Sequence, residues 1–105
     1  MTTRAVIRGS GSALPERCVT NAEMTTMVDT TDEWIVERTG IRQRYIAGEG
    51  ETTATLATLA ASRALEAAGI DAARVDLIVH ATATPDQTFP ATATLVQHSL
   101  GCNGG

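Results

Sequence analysis

The sequence predicts an α/β fold, because segments with the hydrophobic period of a helix alternate with short apolar runs typical of strands. The best-defined helix is the alanine-rich stretch from Thr52 to Ala68, and the clearest strand runs from Val75 to Thr82. A last helix is predicted from Ala91 to Leu100. A doubly wound sheet needs a further strand after such a helix, so we expect these 105 residues to be a fragment of a larger fold.

The first strand is predicted at Ala5-Val6-Ile7, a short apolar run that leads into Gly9-Ser10-Gly11. Two such glycines invite comparison with a dinucleotide-binding fingerprint, which has a third glycine three residues later and a helix directly after it. That position holds Leu14, and no helix is predicted to follow directly. The segment is therefore interpreted as a strand and a tight loop without a nucleotide site.

Two capping boxes mark the starts of the next two helices. Thr20 with Glu23 predicts a short helix from about residue 21 to 28, and Thr30 with Glu33 predicts a second one. In each pair the threonine and the glutamate satisfy backbone N–H groups that the first helical turn leaves free.

Glycines mark where the helices end. Gly40 is placed to end the second short helix, and residues 41 to 46 then alternate like a strand. Gly69 closes the long helix, and Gly101 closes the last one. One face of the long helix carries small and aliphatic residues that are predicted to pack: Leu56, Leu59, Ala60, Ala64 and Ala67.

Composition and charge exclude several classes of function. The net charge of −4 and the pI near 5.0 leave no basic stripe for nucleic acid. No apolar run approaches the roughly 20 residues of a membrane span, and the first residues lack the apolar core of a secretory signal, so we expect a cytoplasmic protein without membrane contact. Cys18 and Cys102 lack the spacing of a zinc site, so we expect free thiols and no metal.

The single tryptophan, Trp34, lies four residues before Arg38 in the stretch DTTDEWIVERTGIR, so both side chains share one face of the predicted helix. An indole beside a guanidinium can hold a flat heterocycle by stacking and cation–π attraction, and arginine can also pair with phosphate. Spacing alone nevertheless favours a simpler interpretation, in which the tryptophan packs in the core beside a solvated arginine.

The whole line of motifs closely resembles the N-terminal segment of the β-ketoacyl-acyl-carrier-protein synthase III family. The resemblance rests on MVDTTDEWIVERTGIRQRYI, preceded by GSGSALPE and TN, and followed by AASRALEAAGI, DLIVHATATPDQTFPATA and LVQHSLG. It implies a thiolase-like α/β fold, with two related halves in a layered αβαβα arrangement. Residues 1–105 would be the N-terminal segment of the first half, with the rest of that half and all of the second half absent.

Members of this family begin fatty acid synthesis, and the resemblance implies the same reaction for the full-length protein. An active-site cysteine takes an acyl group, usually acetyl, from acyl-coenzyme A, and the acyl-enzyme condenses with malonyl-acyl-carrier-protein with loss of carbon dioxide. The implied partners are these two substrates and a second identical subunit in a homodimer. Coenzyme A arrives as a thioester substrate, so no separate cofactor is expected.

The resemblance also implies roles for four residues of this chain. Trp34 and Arg38 are expected to sandwich the adenine of coenzyme A, with Thr30 close enough to hydrogen-bond it. Phe89, in the TFPATA segment, is expected to reach across the dimer and line the acyl pocket of the partner. The alternative for Phe89 is a plain loop anchor beside Pro90.

No catalytic residue is expected in this chain, because the nucleophilic cysteine of the family and its His and Asn fall beyond Gly105. The fragment alone is therefore expected to be inactive. Cys102 and Cys18 lie in predicted loops and lack the placement at a helix N-terminus that activates a thiol. His80, inside an apolar run, is interpreted as a satisfied core histidine.

Two other functions stay open from the sequence. The 105 residues could act as a stand-alone module that binds coenzyme A or a homologous chain without catalysis. The full-length protein could also be a related thiolase-fold acyltransferase of specialised metabolism, because such relatives share much of the N-terminal pattern. Residues that shape the acyl pocket decide between synthase and relative, and Phe89 is the only one recognisable here.

Overall fold

The computed structural model describes residues 2–103, which form two compact units. The hairpin unit comprises residues 14–49, and the helical unit comprises residues 2–13 together with residues 50–103. None of the helices within residues 2–103 combines the length and the apolar character that a membrane crossing requires.

The hairpin unit contains two short antiparallel strands. β1 (Arg17–Thr20) pairs with β2 (Gln43–Ile46), with Cys18 opposite Tyr45. The sequence predicted β2 within residues 41 to 46 but did not predict β1, because RCVT has too little apolar alternation to differ from a loop. β1 is a strand only through its pairing with β2, which local sequence does not reveal.

α1 (Asn21–Met24) begins where it was predicted, and the Thr20 hydroxyl accepts a hydrogen bond at 3.2 Å from the third helical N–H. The predicted extension of this helix to residue 28 is wrong, since hydrogen-bonded turns rather than α-helix continue to Val28. The hydroxyls of Thr25 and Thr26 donate to carbonyl oxygens three residues earlier, both at 2.6 Å. These side-chain bonds compete with the helical pattern and shorten α1.

α2 (Asp32–Thr39) carries the tryptophan and begins one residue later than predicted. Its N-cap is Thr31, whose hydroxyl accepts a hydrogen bond from the Trp34 N–H at 3.1 Å. The predicted capping box that starts at Thr30 is therefore wrong, because two adjacent threonines offer the same hydroxyl and the sequence does not distinguish them. Gly40 ends α2 in the left-handed conformation, with φ of 72°, as predicted.

The helical unit contains α3 (Thr53–Ala68) and α4 (Thr92–Leu100), which pack against each other. Thr52 caps α3 in a capping box, and Gly69 and Gly101 end the two helices with φ of 67° and 76°. Both helices are confirmed to within one residue at each end. Gly69 and Gly101 can end these helices because glycine adopts the left-handed conformation without strain.

Small residues allow the first segment of the chain to lie directly on α3. A Cβ atom on Gly9 would come within 2.7 Å of the Ala64 carbonyl oxygen, and one on Gly11 would come within 2.5 Å of the Ala64 nitrogen. The Arg63 Nη1 donates to the Ser12 carbonyl oxygen at 2.8 Å. The two glycines therefore serve a close approach of backbones, which the alanine-rich surface of α3 permits.

Two predicted strands are not strands in this chain. Residues 5–7 and residues 75–82, which follow a 3-10 turn at Ala72–Arg74, have no paired strand anywhere in the described part of the chain. Leu77 and Val79 are 70% and 86% exposed, so no neighbouring element covers these two apolar side chains in the described structure. A strand needs a neighbour that supplies its hydrogen bonds, and an apolar pattern alone does not provide one.

Candidate functional site

α2 brings Trp34 and Arg38 together, as their four-residue spacing predicts. The guanidinium carbon Cζ of Arg38 lies 4.9 Å from the centre of the Trp34 ring, which is cation–π contact distance. Trp34 is 53% exposed, so the interpretation of Trp34 as a packed core side chain is wrong for this structure. The pair forms an accessible aromatic and cationic surface on the hairpin unit.

The contact between these two side chains leaves no space for a ring between them. A heterocycle sandwiched between an indole and a guanidinium needs about 7 Å, because each of the two stacking contacts takes about 3.5 Å. The observed 4.9 Å is shorter, so Arg38 covers part of the indole. The predicted sandwich would require Arg38 to move, whereas the exposed part of Trp34 can accept a ring without that movement.

A hollow of about 260 Å³ lies beside the tryptophan and is lined by Asp29, Thr30, Thr31 and Trp34. The Thr30 hydroxyl is buried and has no hydrogen-bond partner among the described residues. Because Thr31 caps α2, the hydroxyl of Thr30 is not used by the helix. An unpartnered buried hydroxyl costs about 1–3 kcal/mol, so a ligand that hydrogen-bonds to it would recover that free energy.

One acidic side chain, Asp29, lines this hollow, and two more, Asp32 and Glu33, lie in the first turn of α2 next to the lining residues in the sequence. A phosphate placed here would meet carboxylates of its own sign, whereas a neutral ring with an amino group could donate to them. The hollow therefore suits a neutral heterocycle better than a phosphate.

Phe89 lies in the loop that leads into α4 and is 88% exposed. Polar contacts hold this loop instead of the ring: the Thr53 hydroxyl donates to the Thr84 carbonyl oxygen at 2.6 Å, and Asp86 Oδ1 accepts from the Ala54 N–H at 2.8 Å. The alternative interpretation of Phe89 as a loop anchor is contradicted by this exposure. Its ring is available for contact with another surface.

The remaining candidate residues form no recognisable centre. Cys18 and Cys102 are unpaired, and residues 2–103 hold no group of three or more His, Cys, Asp or Glu side chains that could bind a metal ion. His80 is half-buried, and its Nε2 atom is buried without a hydrogen-bond partner in the described structure. The interpretation of His80 as a satisfied core histidine is therefore correct for the burial of Nε2 but wrong for its hydrogen bonding in the described structure.

Sequence reasoning missed two residues that shape this site. Thr31 caps α2, and Asn21, which is 1% exposed, bonds to the side chains of Asp32 and Arg44. The sequence held one signal for Asn21, because asparagine is a poor helix former and here occupies the first position of a helix. Its partners lie 11 and 23 residues away, which no local pattern reveals.

No family model matches the chain, but curated relatives match it along its length. The β-ketoacyl-[acyl-carrier-protein] synthase III of Novosphingobium aromaticivorans is 84% identical over 105 residues, and that of Erythrobacter litoralis is 70% identical over 101 residues. The matches cover 100% and 96% of this chain and 32% of each relative. The chain therefore spans about a third of the length of the curated relatives it matches.

Solved structures agree with these matches. The 3-oxoacyl-[acyl-carrier-protein] synthase III of Aquifex aeolicus superposes with a TM-score of 0.88 at 48% identity, covering 93% of this chain and 32% of that one. A priming β-ketosynthase from a polyketide biosynthetic pathway gives a TM-score of 0.87 at 42% identity, covering 93% and 30%. The resemblance to β-ketoacyl-acyl-carrier-protein synthase III is confirmed, and so is the thiolase-like α/β fold, of which this chain is a part.

Proposed function

We propose that these residues are part of a β-ketoacyl-acyl-carrier-protein synthase III and supply a portion of its coenzyme A site and dimer interface. The observation that carries this proposal is the 84% identity with the Novosphingobium enzyme along the whole chain. The full-length protein would transfer an acyl group, usually acetyl, from coenzyme A to a cysteine thiolate. The acyl-enzyme would then condense with malonyl-acyl-carrier-protein and release carbon dioxide.

The 105 residues alone are proposed to be inactive. Thioester chemistry needs a thiolate activated at a helix N-terminus and donors aimed at the developing negative charge. Cys18 lies in β1 and Cys102 follows the C-terminal end of α4, so neither has that environment. The part of the protein described here therefore binds substrate rather than transforms it.

The adenine of coenzyme A is proposed to lie in the hollow and to stack on the exposed part of Trp34. Adenine is a neutral heterocycle with an amino group, which is the kind of ligand that the acidic surroundings favour. The unpartnered Thr30 hydroxyl would gain a hydrogen bond. Arg38 would remain against the indole, where its charge could also meet a phosphate of the same substrate.

Phe89 supports the proposed homodimer. An apolar side chain that is 88% exposed on a loop fixed by Thr84 and Asp86 is presented outward rather than folded onto its own chain. Such a side chain gains free energy when a partner surface covers it. We propose that it lines the acyl pocket of the second subunit, where its bulk would limit chain length.

The first test is Trp34→Ala in the full-length synthase. Loss of a base–aromatic stack should weaken coenzyme A binding by about 1–3 kcal/mol, or roughly 5- to 150-fold in Kd, measured by calorimetry. Phe89→Ala is the matched control, because it removes an exposed aromatic from the helical unit and should leave the affinity for free coenzyme A unchanged. An unchanged Kd for Trp34→Ala would refute the coenzyme A site.

Two further variants separate the two arrangements of the adenine. If the ring stacks on the exposed part of Trp34, Thr30→Val should weaken binding and Arg38→Ala should weaken it less than Trp34→Ala does. If Arg38 moves to complete a sandwich, Arg38→Ala and Trp34→Ala should weaken binding by similar factors.

A second candidate function is priming or condensation in specialised metabolism. It is favoured by the likeness to the polyketide priming β-ketosynthase and to a tetronic acid condensing enzyme, which superposes with a TM-score of 0.79 at 39% identity. Both identities lie well below the 84% seen with the Novosphingobium synthase, which supports the fatty acid role. Rates with acetyl-coenzyme A and with larger acyl-coenzyme A starters, measured on the full-length protein, distinguish the two.

A further inference from the structure

Asn21 takes part in five hydrogen bonds while only 1% exposed, and in one of them its backbone carbonyl oxygen accepts from the Thr25 N–H at 3.2 Å. Its Nδ2 donates to Asp32 Oδ1 and to the Ile41 carbonyl oxygen, both at 2.8 Å. Its Oδ1 accepts from Arg44 Nη2 at 2.7 Å, and its backbone N–H donates to the Arg42 carbonyl oxygen at 3.1 Å. Both side-chain amide hydrogens and the amide oxygen are thus used, so the buried group is fully satisfied in its donors.

The two amide hydrogens hold α2 at both ends. Asp32 is the first residue of α2, and Ile41 follows directly after Gly40, which ends it. α2 has only eight residues and one buried apolar side chain, Ile35, which is still 9% exposed. Apolar packing is therefore too small to fix the orientation of this helix, and the Asn21 amide supplies directional contacts that do.

We propose that Asn21 is a positioning residue for the adenine site: its amide holds both ends of α2 and thereby sets where Trp34 stands over the hollow. This inference rests on the proposed function, since it assigns Asn21 to the coenzyme A site on α2. Asn21 itself does not touch the substrate. Its effect should appear in reactions with coenzyme A thioesters and not in those with the acyl carrier protein, which carries no adenine.

The substitution Asn21→Asp separates the links to α2 from the link to β2. It replaces both donors with an oxygen that faces the Asp32 carboxylate, while the acceptor for Arg44 stays in place. Like charges at this distance repel, so α2 should lose its attachment although the bond to β2 persists. A second substitution, Asp32→Asn, should restore part of the contact, because donor and acceptor are then exchanged between the two positions.

The experiment uses the full-length synthase and compares Asn21→Asp with Val96→Ala. Val96 is a buried residue of α4 in the helical unit, so its truncation lowers stability without touching α2. Asn21→Asp is expected to raise the Kd for coenzyme A and the KM for acetyl-coenzyme A about tenfold. The kcat and the KM for malonyl-acyl-carrier-protein should stay unchanged, and Asp32→Asn in the same protein should recover part of the loss. Val96→Ala should lower the melting temperature and leave both coenzyme A constants unchanged.

If Asn21→Asp does not fold, Asp32→Ala decides the matter, with Glu33→Ala as its control. Both remove a carboxylate from the first turn of α2, but the bond with Asn21 is made by Asp32. A raised Kd for coenzyme A with Asp32→Ala alone supports the proposal, and equal constants for the two variants overturn it.

Trp34→Ala distinguishes failure of the positioning role from failure of the coenzyme A site. If it weakens binding while the Asn21 and Asp32 variants do not, only the positioning role fails; if it has no effect, the coenzyme A site itself fails.

Discussion

Different interactions stabilise the interior of the hairpin unit and the interior of the helical unit. In the hairpin unit, Val19 and Ile35 bury little apolar area, and the buried amide of Asn21 connects three of the four elements. In the helical unit, α3 and α4 pack through small and aliphatic residues, and Gly9 and Gly11 lie against the backbone of α3. The hairpin unit therefore depends on directional hydrogen bonds, and the helical unit depends on close packing.

This difference predicts which kind of substitution each unit tolerates. A directional network loses its function when one donor changes, because the partners are left buried without hydrogen bonds. A close-packed contact between backbones instead fails when volume is added, because the surrounding atoms have nowhere to go. The site on α2 is therefore sensitive to polar changes, and the helical unit is sensitive to added methyl groups.

The largest expected effect is that of Gly11→Ala in the helical unit. The added Cβ would lie 2.5 Å from the Ala64 nitrogen and would overlap the Ala60 carbonyl oxygen, and both obstacles are backbone atoms of α3. We expect a destabilisation of about 3 kcal/mol, at the upper end of the range for overpacking. Thermal unfolding of the full-length protein measures it.

Ser10→Ala is the control for that substitution, since Ser10 lies between the two glycines and is exposed. It should change the melting temperature little. If Gly11→Ala were as harmless as Ser10→Ala, the segment would not be pressed against α3, and the contrast between the two units would lose its main support.

The helices were predictable from the sequence because their signals are local. Thr52 opens α3, and Gly69 closes it, within a few residues of the bonds that they satisfy. β2 was predicted from its alternation, but β1 was not, because a strand is defined by its partner: RCVT pairs with β2, while the more apolar residues 75–82 pair with no strand of the described structure. An apolar pattern indicates burial in a complete fold, whereas Leu77 and Val79 remain exposed in this chain.

The candidate site was predictable only in the part that follows from helical geometry. The contact of Trp34 with Arg38 follows from a spacing of four residues. The short distance between them does not follow from that spacing. The choice of Thr31 rather than Thr30 as the cap was not predictable either, because adjacent threonines are chemically equivalent. The role of Asn21 depends on partners in α2 and β2 that the fold brings together.

A smaller effect is expected from Asp86→Ala, which tests whether the helical unit also relies on one polar contact. The Asp86 carboxylate accepts from the Ala54 N–H near the N-terminus of α3, where a negative charge is also favoured by the helix dipole. Its removal should destabilise the unit by about 1–2 kcal/mol, measured by hydrogen exchange of the first turn of α3.

Asp86→Asn keeps an acceptor and should retain more than half of that stability. Asp71→Ala is the matched control, because Asp71 caps only the short turn at Ala72–Arg74 and should leave exchange in α3 unchanged. If Asp86→Ala lowered the stability more than Gly11→Ala does, the helical unit would depend on directional hydrogen bonds as much as the hairpin unit does.

The smallest expected effects come from the two adjacent threonines before α2, and they sharpen the comparison within the hairpin unit itself. Thr31→Ala removes the cap that accepts from the Trp34 N–H, so it should destabilise α2 by about 1 kcal/mol, seen as faster hydrogen exchange in its first turn. Thr30→Val removes a hydroxyl that has no partner in the described structure, so exchange in α2 should stay the same. For coenzyme A binding we expect the opposite order, because the Thr30 hydroxyl is the one without a partner in the described structure. Thr30→Val should therefore weaken coenzyme A binding although it leaves hydrogen exchange in α2 unchanged. Equal effects of the two variants on exchange would show that both threonines serve the cap, and the unpartnered hydroxyl would then no longer point to a bound heterocycle.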